Sequence, residues 1–256
     1  MFYTYWNDFI KKWFSGCKNI DGWTEPAGKL SPLYIPEPWW GNDGTQPLHS
    51  IVVNFNPGKG GSPQKRENLT KVFKSSYAND IVNNTTIQSG SKEWPNCTRN
   101  WHLKKRAIPI LQHLGIDKSL IKIESHLRIE WIPWHYENSV HKDYTDYLKE
   151  NIQKIYEHSI CFAAHEAERI ENDMLKNVVL LKMSGNFTKF LLDLLKDAKC
   201  CEYSIIEETR LHNAAFLTFT LCTFPNTCFV SIWGRNSRNN FPISHMQEIL
   251  NNIARH

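Results

Sequence analysis

The sequence predicts an α/β protein of three layers, α/β/α, around a central sheet of four mostly parallel strands. Two observations lead to this fold class. Four short apolar runs, each ended by Pro, Gly or polar residues, have the length and composition of strands buried in a parallel sheet. Segments with helical periodicity separate these runs, so strands and helices alternate along the chain.

The first predicted strand covers residues 51–55 and ends where Pro57 removes the backbone donor that a ladder needs. The second predicted strand, 127–132, is stopped by Pro133 for the same reason. The third, 178–183, is followed by Gly185 and a helix, and the fourth, 229–233, precedes the basic loop 234–240. Right-handed crossovers between such strands are expected to cover both faces of the sheet with helices.

The helices are predicted from apolar residues that recur every three or four positions. Phe2, Trp6, Phe9 and Trp13 follow this spacing and predict an amino-terminal helix that ends near Gly16 and packs on the domain. Further helices are predicted over 63–77, 102–114, 144–156, 187–195 and 244–253. Residues 201–206 and 215–222 are predicted to be extended and to be able to pair as a hairpin.

Length and composition indicate one domain. With 256 residues and 41% hydrophobic content, we expect a single unit over 1–256, with a helical and irregular lead-in over about 1–48. The net charge of +4 permits a polyanionic partner without requiring one. The seven cysteines include no C-x-x-C pair, so we expect no zinc or iron–sulfur site, no other metal and no cofactor.

No apolar run approaches the ~18 residues of a membrane span. Charged residues interrupt the first 14 positions, which is not the pattern of a secretory signal. We therefore expect a cytoplasmic protein without a membrane partner.

The loops that follow the four predicted strands mark the expected site, because open α/β sheets bind ligands outside the carboxyl ends of their strands. These loops are 56–61, 134–137, 185–186 and 234–240. Asn56 lies directly after the first strand, where the chain turns and exposes backbone N–H groups.

The order of these pieces resembles the uracil-DNA glycosylase superfamily. Three features carry the resemblance: Asn56-Pro57-Gly58 after the first strand, Gly185 between the third strand and a helix, and the fourth-strand loop that begins Gly-Arg-Asn-Ser-Arg at 234–238. In the mismatch-specific, thymine-DNA glycosylase-like branch the first motif is Gly-Ile-Asn-Pro-Gly, which is similar to residues 54–58 here. Residues 36–42, Pro-Glu-Pro-Trp-Trp-Gly-Asn, also resemble the lead-in of bacterial relatives with this fold.

The resemblance implies a metal-independent DNA N-glycosylase that flips a damaged or deaminated base out of the stack and hydrolyses its bond to deoxyribose. That reaction places positive charge on the sugar and negative charge on the departing base. Asn56 would be the catalytic residue that positions the attacking water; since an amide is not a strong base, the water is oriented more than activated. The expected substrate-binding residues are Phe55, Pro57, Gly58, Trp134, Asn236 and Ser237, and the expected phosphate-binding residues are Lys59, Arg235 and Arg238.

Two other functions remain open on the sequence. The superfamily's fourth-strand motif carries Pro-Ser, often after a His, whereas only Ser237 is kept here, so a catalytically inactive module that binds nucleic acid or nucleotides is the alternative. A small-molecule α/β enzyme with the same strand-end loops is the third hypothesis. Asn-Pro-Gly is also a common turn, and Trp134-His135 is typical of an aromatic residue packed at a strand end beside a surface His.

Overall fold

The computed structural model describes the amino-terminal helix, a mixed sheet and helices between the second and fourth parallel strands. The described residues are 2–17, 19–25, 30–31, 36, 38–42, 44–55, 112, 117, 125–136, 144–173, 175–211, 214–231 and 248. The predicted helices 63–77, 102–114 and 244–253 lie outside these residues, apart from single positions in the last two.

The protein has an α/β fold built on a mixed sheet. The strands are β1 (Leu30–Ser31), β2 (Trp39–Gly41), β3 (Ser50–Asn54), β4 (His126–Glu130), β5 (His135–Tyr136), β6 (Val178–Leu181), β7 (Tyr203–Leu211), β8 (Ala214–Leu221) and β9 (Phe224–Ser231). Seven of them form one sheet in the order β2-β4-β3-β6-β9-β8-β7, and β1 pairs with β5 separately. The four strands β4, β3, β6 and β9 are mutually parallel, which confirms the predicted central set.

The sheet is larger than the predicted four strands. The hairpin of β7 and β8 adds to β9 in antiparallel register, and β2 adds to β4 at the opposite edge. The hairpin was predicted; its membership of the main sheet was not. A two-residue turn at Cys222-Thr223 joins β8 to β9, so β8 has to pair with the strand that follows it.

The described helices are α1 (Phe2–Phe14), α2 (Thr145–Ile155), α3 (Cys161–Ala167) and α4 (Gly185–Asp197). A π-helical segment, Tyr156–Ile160, joins α2 to α3 without a break. The prediction that this helix ends at Tyr156 is therefore wrong. Buried Ile160, Phe162 and Ala163 continue its apolar face, and no Gly or Pro stops the backbone. Among the described residues, no helix is long and apolar enough to cross a lipid bilayer.

One face of the parallel strands is apolar and holds the main core. Trp39, Ile129 and Val53 are side by side on it by register, and all three are fully buried. Tyr3 of α1 makes edge contacts with Trp39 and with Phe162 of α3, at centroid distances of 4.8 and 5.0 Å. These contacts place α1 and α3 over this face, so the prediction that α1 packs on the domain is confirmed.

Candidate functional site

The carboxyl ends of the four parallel strands are aligned at one edge of the sheet. Asn54, the last residue of β3, pairs with Glu130, the last residue of β4. Val53 pairs with Leu181 of β6, and Leu181 pairs with Ser231 of β9. The chain therefore leaves all four strands at neighbouring points, and this edge is called the strand-end edge below.

The strand order creates a topological switch point between β3 and β6. From β3 the chain goes to β4 on one side of the sheet, whereas from β6 it goes to β9 on the other side. When the chain leaves two adjacent parallel strands in opposite directions, a crevice opens between the loops that follow these two strands. Ligands of open α/β proteins bind in this crevice. Here the two loops begin at Phe55 and at Lys182.

A buried polar group lies on this edge, on the face of the sheet opposite Trp39. Arg128 and Glu130 of β4 form an ion pair, and their side chains are only 6% and 0% exposed. Asn54 Nδ2 donates to Glu130 Oε1 over 3.3 Å. A buried ion pair of this kind is costly to desolvate, so its contribution lies more in holding one geometry than in stability.

The amide of Asn54 has one orientation. Asn54 Nδ2, and not Oδ1, faces Glu130 Oε1 at 3.3 Å, because the reverse orientation would place two acceptor oxygens against each other at that distance. Asn54 Oδ1 is buried, and among the residues that the structure describes it has no hydrogen-bond partner. An unsatisfied buried acceptor costs about 1–3 kcal/mol, so the switch point holds an oxygen that a donor group would stabilise.

The polar face continues along the strands to their amino ends. Ser50 of β3 hydrogen-bonds through its hydroxyl to Nδ1 of His126, two residues before Arg128. Complete burial, and secondarily the positive charge of Arg128, lowers the pKa of His126 to about 4. The imidazole is therefore neutral near pH 7 and serves as a hydrogen-bonding group in the core.

Helix α4 begins at the strand-end edge. Ser184 precedes it in extended conformation, and its hydroxyl accepts a hydrogen bond from Phe187 N at 3.3 Å, so Ser184 is the N-cap. The first turn holds no acidic residue, and it starts with Gly185 and Asn186. The positive end of the helix dipole therefore points toward the crevice without a carboxylate to neutralise it.

Two of the predicted site residues are described. Phe55 is 6% exposed and makes edge contacts with Tyr144 and Phe187, and Trp134 is 2% exposed. Trp134 packs on Phe9 and donates its indole N–H to the Tyr147 hydroxyl at 2.6 Å. Both aromatic side chains act as core residues in this structure and present no open surface on which a base could stack.

The other predicted site residues lie outside the described residues: Asn56, Pro57, Gly58, Lys59, Arg235, Asn236, Ser237 and Arg238. Residues 56–59 follow Phe55 directly. Residues 235–238 follow Gly234, which is three positions after Ser231.

The expectation of a surface His at position 135 is wrong. His135 is 7% exposed, because it belongs to β5 and pairs with Ser31 of β1. No local pattern indicates this pairing. Strands β1 and β5 have only two residues each, and the paired residues Ser31 and His135 are 104 positions apart.

Sequence reasoning also missed Asn54, Arg128 and Glu130 as members of the site. A signal was present in β4, where His126, Arg128 and Glu130 alternate with Leu127 and Ile129. Strict alternation predicts a strand with one polar face. Among the described residues, no three His, Cys, Asp or Glu side chains are arranged to hold a metal ion.

Comparison of the chain with protein-family models, with curated proteins and with solved structures finds no match. The function is therefore argued from the strand-end edge itself.

Proposed function

We propose that this protein is a uracil-DNA-glycosylase-like hydrolase that binds a flipped-out damaged or deaminated base at the strand-end edge and cleaves its N-glycosidic bond. The observation that carries the proposal is the switch point between β3 and β6. It is the expected ligand crevice of an open α/β sheet, and the chain enters the Asn56-Pro57-Gly58 motif from it.

The reaction needs a water directed at the sugar and a stabilised base anion. In the proposal, Asn56 orients the water, and no metal or other cofactor takes part. The amino end of α4 supplies positive potential on the opposite side of the switch point, where Gly185 and Asn186 begin the helix. This potential stabilises the departing base anion. Asn236 and Ser237 are further candidates for the same role.

Asn54 and Glu130 support a polar ligand at this edge. Asn54 Oδ1 has no partner among the described residues, and in the proposal it accepts a hydrogen bond from an N–H of the ligand, while Glu130 fixes the amide that carries this oxygen. Uracil and hypoxanthine carry a ring N–H where cytosine and adenine carry an acceptor, so a deaminated base has the complementary hydrogen-bonding group.

An excision assay tests the proposal. Single- and double-stranded oligonucleotides with uracil, hypoxanthine or a mismatched thymine are incubated with the protein, and alkali then cleaves the abasic sites. We expect cleavage with the wild type, none with Asn56→Ala, and retained or raised activity with Asn56→Asp, because a carboxylate adds an electrostatic partner for the cationic sugar. Asn19→Ala, at an exposed position after α1, is the matched control and should be fully active.

A binding measurement separates turnover from recognition. If Arg238 contacts a phosphate, Arg238→Ala should reduce the slope of log K against log salt by about one. An inactive wild type that still binds DNA would identify the inactive binding module, and absence of binding at low salt would favour a small-molecule enzyme.

A further inference from the structure

Strand β7 is a long edge of the main sheet. Within the described sheet it is the last strand, and its one neighbour is β8. It has nine residues, whereas β2 at the opposite edge has three. An edge strand presents a row of backbone N–H and C=O groups that face away from the sheet, and another chain can pair with these groups. Of the two edges, β7 therefore offers an added strand the longer row of hydrogen-bonding groups.

The same strand carries exposed apolar surface. Among the described residues, Ile205 and Ile206 are the large hydrophobic side chains that stay exposed, at 40% and 49%. Exposed apolar residues on an edge strand favour association with another strand. The register between β7 and β8 shifts between Ile205 and Glu207, so Ile206 lies in a β-bulge. The regular part of the edge is therefore the segment 207–211.

The charges of this segment favour a second copy of the same strand as the partner, in one register. Two copies related by a two-fold axis perpendicular to the sheet pair antiparallel about one central residue, and each residue stays on its own face. A centre at Glu207, Glu208 or Arg210 would place a charge directly opposite itself, which is destabilising. A centre at Leu211 would leave most of the segment unpaired. A centre at Thr209 instead places exposed Glu208 opposite exposed Arg210 twice.

Helix α4 leaves room for the second copy. Lys189 Nζ of α4 lies 3.7 Å from Glu208 Oε2, and the Tyr203 hydroxyl donates to Asp193 of α4 at 2.7 Å, so the helix covers the face of the sheet that carries Glu208. It packs more on β8 than on β7. When two copies pair through β7, their β8 strands are three strand spacings, or about 14 Å, apart. Packed helices need only about 8–10 Å between their axes, so the two α4 helices do not collide.

We propose that two copies of this chain pair their β7 strands antiparallel about Thr209 and so join their sheets into one. Glu208 of each copy then faces Arg210 of the other copy. The end of the second copy's β7 lies beside Ile206 and covers part of its exposed apolar surface. An interface built on the segment 207–211 is small, so we expect a weak dimer whose population depends on protein concentration. This inference is independent of the proposed glycosylase activity.

Sedimentation of the full chain over a range of protein concentrations tests the proposal. The wild type should change from the mass of one chain to the mass of two as the concentration rises. Glu208→Arg and Arg210→Glu each place like charges opposite one another twice and should weaken self-association at least about tenfold. Both positions are exposed, so both variants should keep the urea midpoint of the wild type. Glu168→Arg, at an exposed position after α3, makes the same charge change as Glu208→Arg; this matched control should associate like the wild type.

An equimolar mixture of the two weakened variants tests the register itself. In a mixed pair, the arginine introduced at position 208 faces the glutamate introduced at position 210, and the native Glu208 and Arg210 face each other. The mixture should therefore associate about as tightly as the wild type, although neither variant does so alone. A mixture that stays as single chains, or single variants that associate like the wild type, would overturn the proposal. A wild type that remains a single chain up to about 1 mM would overturn it as well.

Discussion

Acid should destabilise this protein through His126, and the size of the effect can be worked out from its burial. The folded state lowers the pKa of His126 from 6.5 to about 4. Between these two pH values the unfolded chain binds a proton that the folded chain does not. The contribution of His126 to the free energy of unfolding is therefore fully present above pH 6.5 and decreases as the pH falls. This difference in pKa corresponds to about 3 kcal/mol of unfolding free energy, of which about 2.5 kcal/mol is lost by about pH 4.5.

The measurement is urea unfolding at about pH 7.5 and about pH 4.5 for the wild type and His126→Asn. Asparagine keeps an acceptor for the Ser50 hydroxyl but does not titrate. The wild type should lose about 2.5 kcal/mol more than the variant between the two pH values. Burial also lowers the pKa of His158 to about 4, but that residue is present in both proteins and cancels in the comparison.

His165→Asn, at an exposed position of α3, is the matched control and should follow the wild type at both pH values. Equal losses in the wild type and His126→Asn would refute the assignment of His126 as a buried neutral imidazole. A larger loss in the variant would refute the sign of the argument.

Three further predictions concern stability and are read from urea midpoints. Ser184→Ala removes the cap of α4 and should cost about 1 kcal/mol, whereas Ser204→Ala on exposed β7 should change little. Phe9→Ala should cost about 3–5 kcal/mol, since Phe9 is fully buried against Trp6 and Trp134; a loss no greater than that of exposed Thr4→Ala would show that α1 does not pack as described. Glu130→Gln removes the negative charge that faces the buried Arg128 guanidinium and should cost about 3 kcal/mol, and Glu208→Gln, at an exposed pair, is the control that should lose less than about 1 kcal/mol.

Several elements could be read from the sequence because their signals are local. The run Ile51-Val52-Val53 before Asn56-Pro57 predicts a buried strand that stops, and the structure has β3 there. The spacing of Trp6, Phe9 and Trp13 predicts α1, which ends two residues before Gly16 with φ of +81°. Each prediction depends on residues within a few positions of one another, where backbone sterics and burial periodicity act directly.

The arrangement of these elements was decided by tertiary structure. Asn54 and Glu130 are 76 residues apart, and their contact exists only because β4 lies beside β3 in the sheet.

The sequence by itself thus determined the four parallel strands, the extended segments of the β7–β8 hairpin, helices α1 and α4, and the segment that leaves the first strand. Only the tertiary structure decided the strand order, the switch point and the buried polar face of β3 and β4. The physical reason is that hydrogen-bonded strand neighbours and buried ion pairs are chosen by the free energy of the whole packed sheet, which no local stretch of residues contains.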